Sequence, residues 1–147
     1  MKQQRSKARN IFLWIAQVLL AALFLFAGSL KTFQPIDDLA TQMPLATQVP
    51  EAFVRFIGIV ELLGAAGLIL PSLLKIKPVL TPLAAAGLAI VMLLAALFHL
   101  AKGEANAVPM NIIVFLLALF IAWGRFKKNP IEGKQFTTFD QRRRYVN

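Results

Sequence analysis

The sequence predicts an all-α integral membrane protein, an antiparallel four-helix bundle with a short amphipathic helix in its first outer loop. Three observations predict it. The 147 residues are 58% hydrophobic with a mean hydropathy of +0.66, above the roughly 45–50% apolar content of soluble domains. The apolar residues gather into four blocks near the length that crosses a bilayer. No period-2 alternation of comparable length accompanies them, which leaves helices as the spanning form.

Residues 1–10 form a basic stretch carrying Lys2, Arg5, Lys7 and Arg9. The first block, residues 11–30, is about 30 Å long as a helix, enough for the hydrocarbon core. It exceeds a secretory h-region of about 7–15 residues, and no clear A-x-A site follows, so it reads as a retained span. The connection over residues 31–52 is long and contains Pro35, Pro44 and Pro50. Within it, "PIDDLATQM" places Ile36, Leu39, Ala40 and Met43 at i, i+3, i+4 and i+7, the spacing of an amphipathic helix. Pro35 suits its first turn, and Asp37 and Asp38 suit the positive end of its dipole. This segment is expected to lie as a lid on the outer surface. The second block, residues 53–70, is expected to close at Pro71. The third, residues 79–100, carries Pro82 in its first turn, where a missing N–H costs little. The fourth, residues 107–123, is the shortest, and Trp123 fits a headgroup-level anchor. Residues 125–147 lack an apolar period and are expected to form an exposed basic arm near anionic lipid. The domain organisation is thus a basic N-terminus (1–10), a membrane domain (11–124) and a basic tail (125–147).

Thirteen of the sixteen Lys and Arg residues fall on the side holding both termini and the connection with Lys75 and Lys77. The other side holds Lys31, Arg55 and Lys102. The positive-inside rule then places both termini in the cytoplasm. The formal charge of +9 is accounted for by these anchors rather than by nucleic-acid binding. The absence of cysteine excludes disulfide, thiolate and iron–sulfur chemistry by this chain. A single histidine excludes bis-histidine haem and leaves zinc without its usual ligands, so no intrinsic cofactor is expected.

Threading the spans through this orientation brings the polar residues to one leaflet. Lys31 ends the first span, and Arg55 begins the second, with Glu61 about 12 Å below Phe53. His99 closes the third span, and Asn111 lies one turn into the fourth. Lys31, Arg55, Glu61, His99 and Asn111 are therefore the candidate ligand-binding residues. A charge at mid-span costs about 2.5–3.5 kcal/mol on the insertion scale, so Glu61 should face the bundle, either paired with Lys31 or Arg55 or holding a proton. Small residues accompany it: Gly58 and Ala65 share its face, and Ala27 and Gly28 adjoin Lys31, permitting close helix approach. Plainer readings stand beside these. The pair can serve only to fix register, His99 can be interfacial, Asn111 can cap a helix, and Lys31 can snorkel.

The segments "FLFAGSLKTF", "GIVELLGAAGLILP" and "LAAAGLAIVMLLAALFHL" follow one another along the chain. Their order resembles the DoxX-like family of small four-helix membrane proteins, over roughly residues 11–126. Gly28 with Lys31, Glu61 with Gly64, and His99 carry the resemblance. It implies a prokaryotic cytoplasmic membrane, and some members are associated with quinone-linked or thiol-linked oxidoreductase systems. The family supplies no catalytic residues to carry over, and the long first connection and basic tail lie outside the pattern. Three readings follow. The first is a subunit that binds a quinone or similar apolar ring compound, with electrons coming from a soluble or membrane redox partner. The second is a non-enzymatic module that binds lipid or assists another membrane protein. The third, a transporter, ranks last because polar groups confined to one leaflet give no continuous path unless the chain forms a homo-oligomer.

Overall fold

The computed structural model describes residues 7–134. Its helices are α1 (Lys7–Phe33), α2 (Ile36–Gln42), α3 (Leu45–Gln48), α4 (Glu51–Leu74), α5 (Leu80–Ala101) and α6 (Val108–Trp123). A 3₁₀ turn, Ala105–Ala107, leads into α6, and a π-helical turn, Gly124–Lys128, continues it. With these turns, four helices are long and apolar enough to cross a membrane.

The order of contacts shows the spans to be antiparallel. Gly28, late in α1, meets Gly58 and Leu62, early in α4, whereas Gln17, earlier in α1, reaches Leu68. Likewise Gly64 and Gly67 of α4 face Leu88 and Ala84 of α5 in reversed order. One end of the bundle therefore holds the start of α1, the end of α6 and the α4–α5 turn. The opposite end holds the 34–50 connection and the α5–α6 turn. These are the terminal end and the loop end below.

Burial follows from lipid exposure. Leu20, Phe24, Leu68, Leu88, Ala118 and Ile121 pack into the central core, while Phe12, Phe26, Leu63, Ile90 and Ile113 face outward. An outward apolar girdle costs nothing in hydrocarbon, where helix association rests on close packing rather than on the hydrophobic effect. A second cluster, Leu39, Ala46 and Val54, with Ile36 and Met43 against it, seats the loop-end helices α2 and α3 on the bundle. The i, i+3, i+4, i+7 stripe of the first connection is the face that packs.

The first two spans run past their expected ends: α1 covers Lys7–Phe33, so residues 7–10 of the basic N-terminus are helical, and α4 begins at Glu51. Two further boundaries also differ. Helix α4 does not close at Pro71 but continues to Leu74. Proline there removes one backbone donor near the helix end, and the extra turn is held by Ser72, which donates to Thr81 Oγ1 on α5 at 2.7 Å. The chain then reverses through Lys75 and Lys77, both at positive φ (57° and 44°), a conformation uncommon for residues with a Cβ. The basic tail also begins differently. Its first residues are folded into the π turn, and Arg125 is buried, because its guanidinium finds neutral acceptors inside the bundle. The "RRR" run at 142–144 lies outside the described residues.

Candidate functional site

Lys31 and Glu61 are brought together. The Lys31 ammonium donates to both carboxylate oxygens, at 2.9 Å to Oε1 and 2.7 Å to Oε2. Lys31 is 7% exposed and Glu61 2%. The pair forms where α1 and α4 come closest, and glycine makes that approach possible. A Cβ placed on Gly58 would lie 2.9 Å from the Gly28 carbonyl oxygen and 2.8 Å from Lys31 Cβ. Glu61 therefore faces the neighbouring helix rather than the acyl chains.

Arg55 does not pair with Glu61. Its Nη1 donates to the carbonyls of Lys31 (2.9 Å) and Gln34 (2.6 Å), and its Nε and Nη2 donate to Glu51 Oε1 one turn earlier. The last carbonyls of a helix lack intrahelical donors, and Arg55 supplies donors to the end of α1 from the neighbouring helix. It thus bonds to the backbone of Lys31 itself and closes the helix end beside the pair.

His99 joins a different group. Its Nδ1 lies 2.6 Å from Glu104 Oε2, and Gln48 Nε2 donates to Glu104 Oε1 at 2.7 Å. The His99 bond first, and the Gln48 bond second, hold the Glu104 carboxyl below the usual carboxylate range. An ionised carboxylate only accepts, so Nδ1 carries the proton. This clasp ties the α5–α6 turn to α3. Asn111 stays within its own helix, with Nδ2 donating to the Ala107 carbonyl at 3.1 Å. Of the five candidates, then, two form an ion pair, a third closes the helix end beside it, and His99 and Asn111 serve other contacts. At the same end, Thr32 Oγ1, Gln34 Oε1 and Gln48 Oε1 are buried without a hydrogen-bond partner among the described residues.

The terminal end holds polar residues that the sequence reading left out. Gln17 donates to the Leu68 carbonyl at 2.7 Å and accepts from Arg125 Nε at 2.5 Å. Arg125 Nη1 also donates to Asn10 Oδ1 at 2.7 Å. Arg9 donates to Asn129 Oδ1 and to the Lys128 carbonyl. Gln17 carried the available signal: a buried amide requires partners, and none stood within reach on its own helix. A cavity of about 370 Å³ opens at this end, lined by Lys7, Asn10, Trp14, Ser72, Lys75 and Asn129 among others, and by none of the five loop-end candidates.

Four antiparallel apolar spans, two of them joined by a charge pair at a glycine crossing, define a small polytopic α-helical membrane protein. A family model for the DoxX-like family matches residues 15–121, covering all or most of each span, and the chain belongs to that family. Comparison with curated proteins and with solved structures finds no match in either.

Proposed function

We propose that the chain is a non-enzymatic membrane module whose Lys31–Glu61 pair is structural, holding α1 to α4 so that rigid apolar faces are offered to lipid or to another membrane protein. The observation that carries this reading is the closure of the pair on itself, with both carboxylate oxygens engaged and both side chains buried. Around it, Arg55, His99 and Asn111 are each engaged within the chain. The outward apolar residues on all four spans supply the surface for lipid or partner.

A second reading is a quinone- or small-amphiphile-binding subunit of an oxidoreductase system, with Lys31, Glu61 and their surroundings as the binding residues. The three unpartnered buried oxygens of Thr32, Gln34 and Gln48 favour it, since the Thr32 hydroxyl can donate to a quinone carbonyl and a quinol hydroxyl can donate to the two amide oxygens. One experiment separates the two. The purified protein and a Lys31→Met/Glu61→Leu variant are incubated with a short-chain ubiquinone, and retained quinone is measured after desalting. The structural reading expects equal retention at the level of empty detergent micelles. Saturable retention by the native protein that the variant loses would establish the second reading instead.

We further propose that the chain sits in a prokaryotic cytoplasmic membrane with both termini in the cytoplasm, a reading that the positive-inside bias supports. The cysteine-free sequence makes this simple to test. An Asn106→Cys variant should react with an impermeant maleimide added outside intact spheroplasts, whereas a Lys77→Cys variant should react only after lysis. The opposite pattern would invert the topology.

A further inference from the structure

Arg125 is 3% exposed, and among the described residues no carboxylate lies within ion-pair distance of it. Its donors reach only neutral groups: Gln17 Oε1, Asn10 Oδ1 and the Asn129 carbonyl. Its guanidinium carbon lies 5.3 Å from the centre of the Trp14 ring, and its Nη2 is buried with no hydrogen-bond partner. A buried charge is costly unless compensated, and arginine cannot shed its proton within the protein. Compensation must therefore come from a negative group nearby.

The terminal-end cavity supplies the place. Asn10, Trp14 and Asn129, which contact Arg125, also line the cavity, so the guanidinium sits immediately behind its wall. Lys7 and Lys75 line it from α1 and from the α4–α5 turn. The acid in the lining, Glu132, already interacts within the chain. Two lysines and Asn10, with a buried guanidinium behind the wall, give the cavity an anion-attracting side next to the apolar Trp14, Pro130 and Ile131. Ile11, Phe12, Leu73, Leu74 and Ile76, chain neighbours of the lining residues, are exposed. The cavity thus borders lipid-facing surface, where an anion carrying acyl chains would be seated. Basic pockets between spans at a membrane face hold lipid headgroups by this chemistry.

We infer that the terminal-end cavity binds a phosphate-bearing anion, supplied by the bilayer as the headgroup of an anionic phospholipid. Phosphate oxygens accept from Lys7, Lys75 and Asn10, and their charge offsets that of Arg125 behind the wall. The site is independent of the Lys31–Glu61 pair at the opposite end.

The test is native mass spectrometry of the full chain released from detergent after equilibration with dioleoyl phosphatidylglycerol, dioleoyl phosphatidylcholine or inorganic phosphate. The phosphatidylglycerol adduct should persist in the native protein and the phosphatidylcholine adduct should not. Lys7→Gln/Lys75→Gln should weaken phosphatidylglycerol retention at least about tenfold. Lys77→Gln/Lys127→Gln, which removes two charges from the same end outside the cavity, should leave it unchanged. Displacement of the lipid by millimolar inorganic phosphate would assign the site to the free anion; resistance to displacement would assign it to the headgroup. Equal retention of the two lipids, or equal loss in both double variants, would overturn the proposal. Because all four lysine positions are at the surface or cavity rim, these variants leave the bundle interior intact.

Discussion

Glu61→Gln is expected to lower the stability of the detergent-solubilised protein by about 3–5 kcal/mol, the usual cost of removing one partner from a buried ion pair. The amide keeps an oxygen that can accept from the Lys31 ammonium, but it cannot neutralise the charge. Lys31 would then be a cation 7% exposed and without a counter-charge beside a helix crossing. Its escape is limited. The lysine lies in the last turn of α1, but Arg55 and the packed cluster of Leu39, Ala46 and Val54 occupy the space above it. Snorkelling, which rescues lysines at open helix ends, would require that cover to lift. Thermal unfolding followed by fluorescence should show the loss directly. A midpoint within a degree of the native protein would mean that the pair contributes nothing to the fold.

Gly58→Val is expected to be comparably damaging, by about 3 kcal/mol or more, toward the severe end of overpacking. A Cβ at this position meets Thr32 Oγ1 at 2.6 Å, Lys31 Cβ at 2.8 Å and the Gly28 carbonyl oxygen at 2.9 Å. The last of these is backbone and cannot rotate away. The helices must separate, which also stretches the Lys31–Glu61 contact, so packing and electrostatics fail together. Gly87 provides the control. A Cβ there has nothing within 4 Å, and Gly87→Ala should be neutral or slightly stabilising through helix propensity. Unfolding midpoints and the monodisperse yield of the two variants check this contrast. Equal behaviour would show that the α1–α4 crossing is not set by glycine.

The four spans and the loop-end helix were legible because bilayer thickness and helical periodicity act locally. A block such as residues 11–30 announces its length, and Ile36, Leu39, Ala40 and Met43 announce their face. That Glu61 faces the bundle was legible because a mid-span acid demands compensation, and the threading placed Lys31 and Arg55 near its level as possible partners. Choosing Lys31 over Arg55 was beyond the sequence. That choice depends on helix rotation about the Gly28–Gly58 contact and on which group meets the unsatisfied carbonyls of α1. His99 was misgrouped because its partner, Glu104, lies only five residues away in the following turn, and Gln48 joins it from a separate element. Arg125 was hidden for a related reason. It opens a basic run that looks solvated, and only the π turn after α6 rotates it toward Gln17. Continuation of α4 past Pro71 was likewise decided by a tertiary bond, Ser72 to Thr81.

The central claim is that Lys31 and Glu61 act on each other as a buried clasp between α1 and α4. A double-mutant cycle of Lys31→Met, Glu61→Leu and their combination, read by unfolding stability, tests it most directly. Each single variant should lose about 3–5 kcal/mol and the combination no more than one of them alone, giving a coupling of at least about 3 kcal/mol, at the top of the range for residues in contact. Additive losses, within about 0.5 kcal/mol, would contradict it.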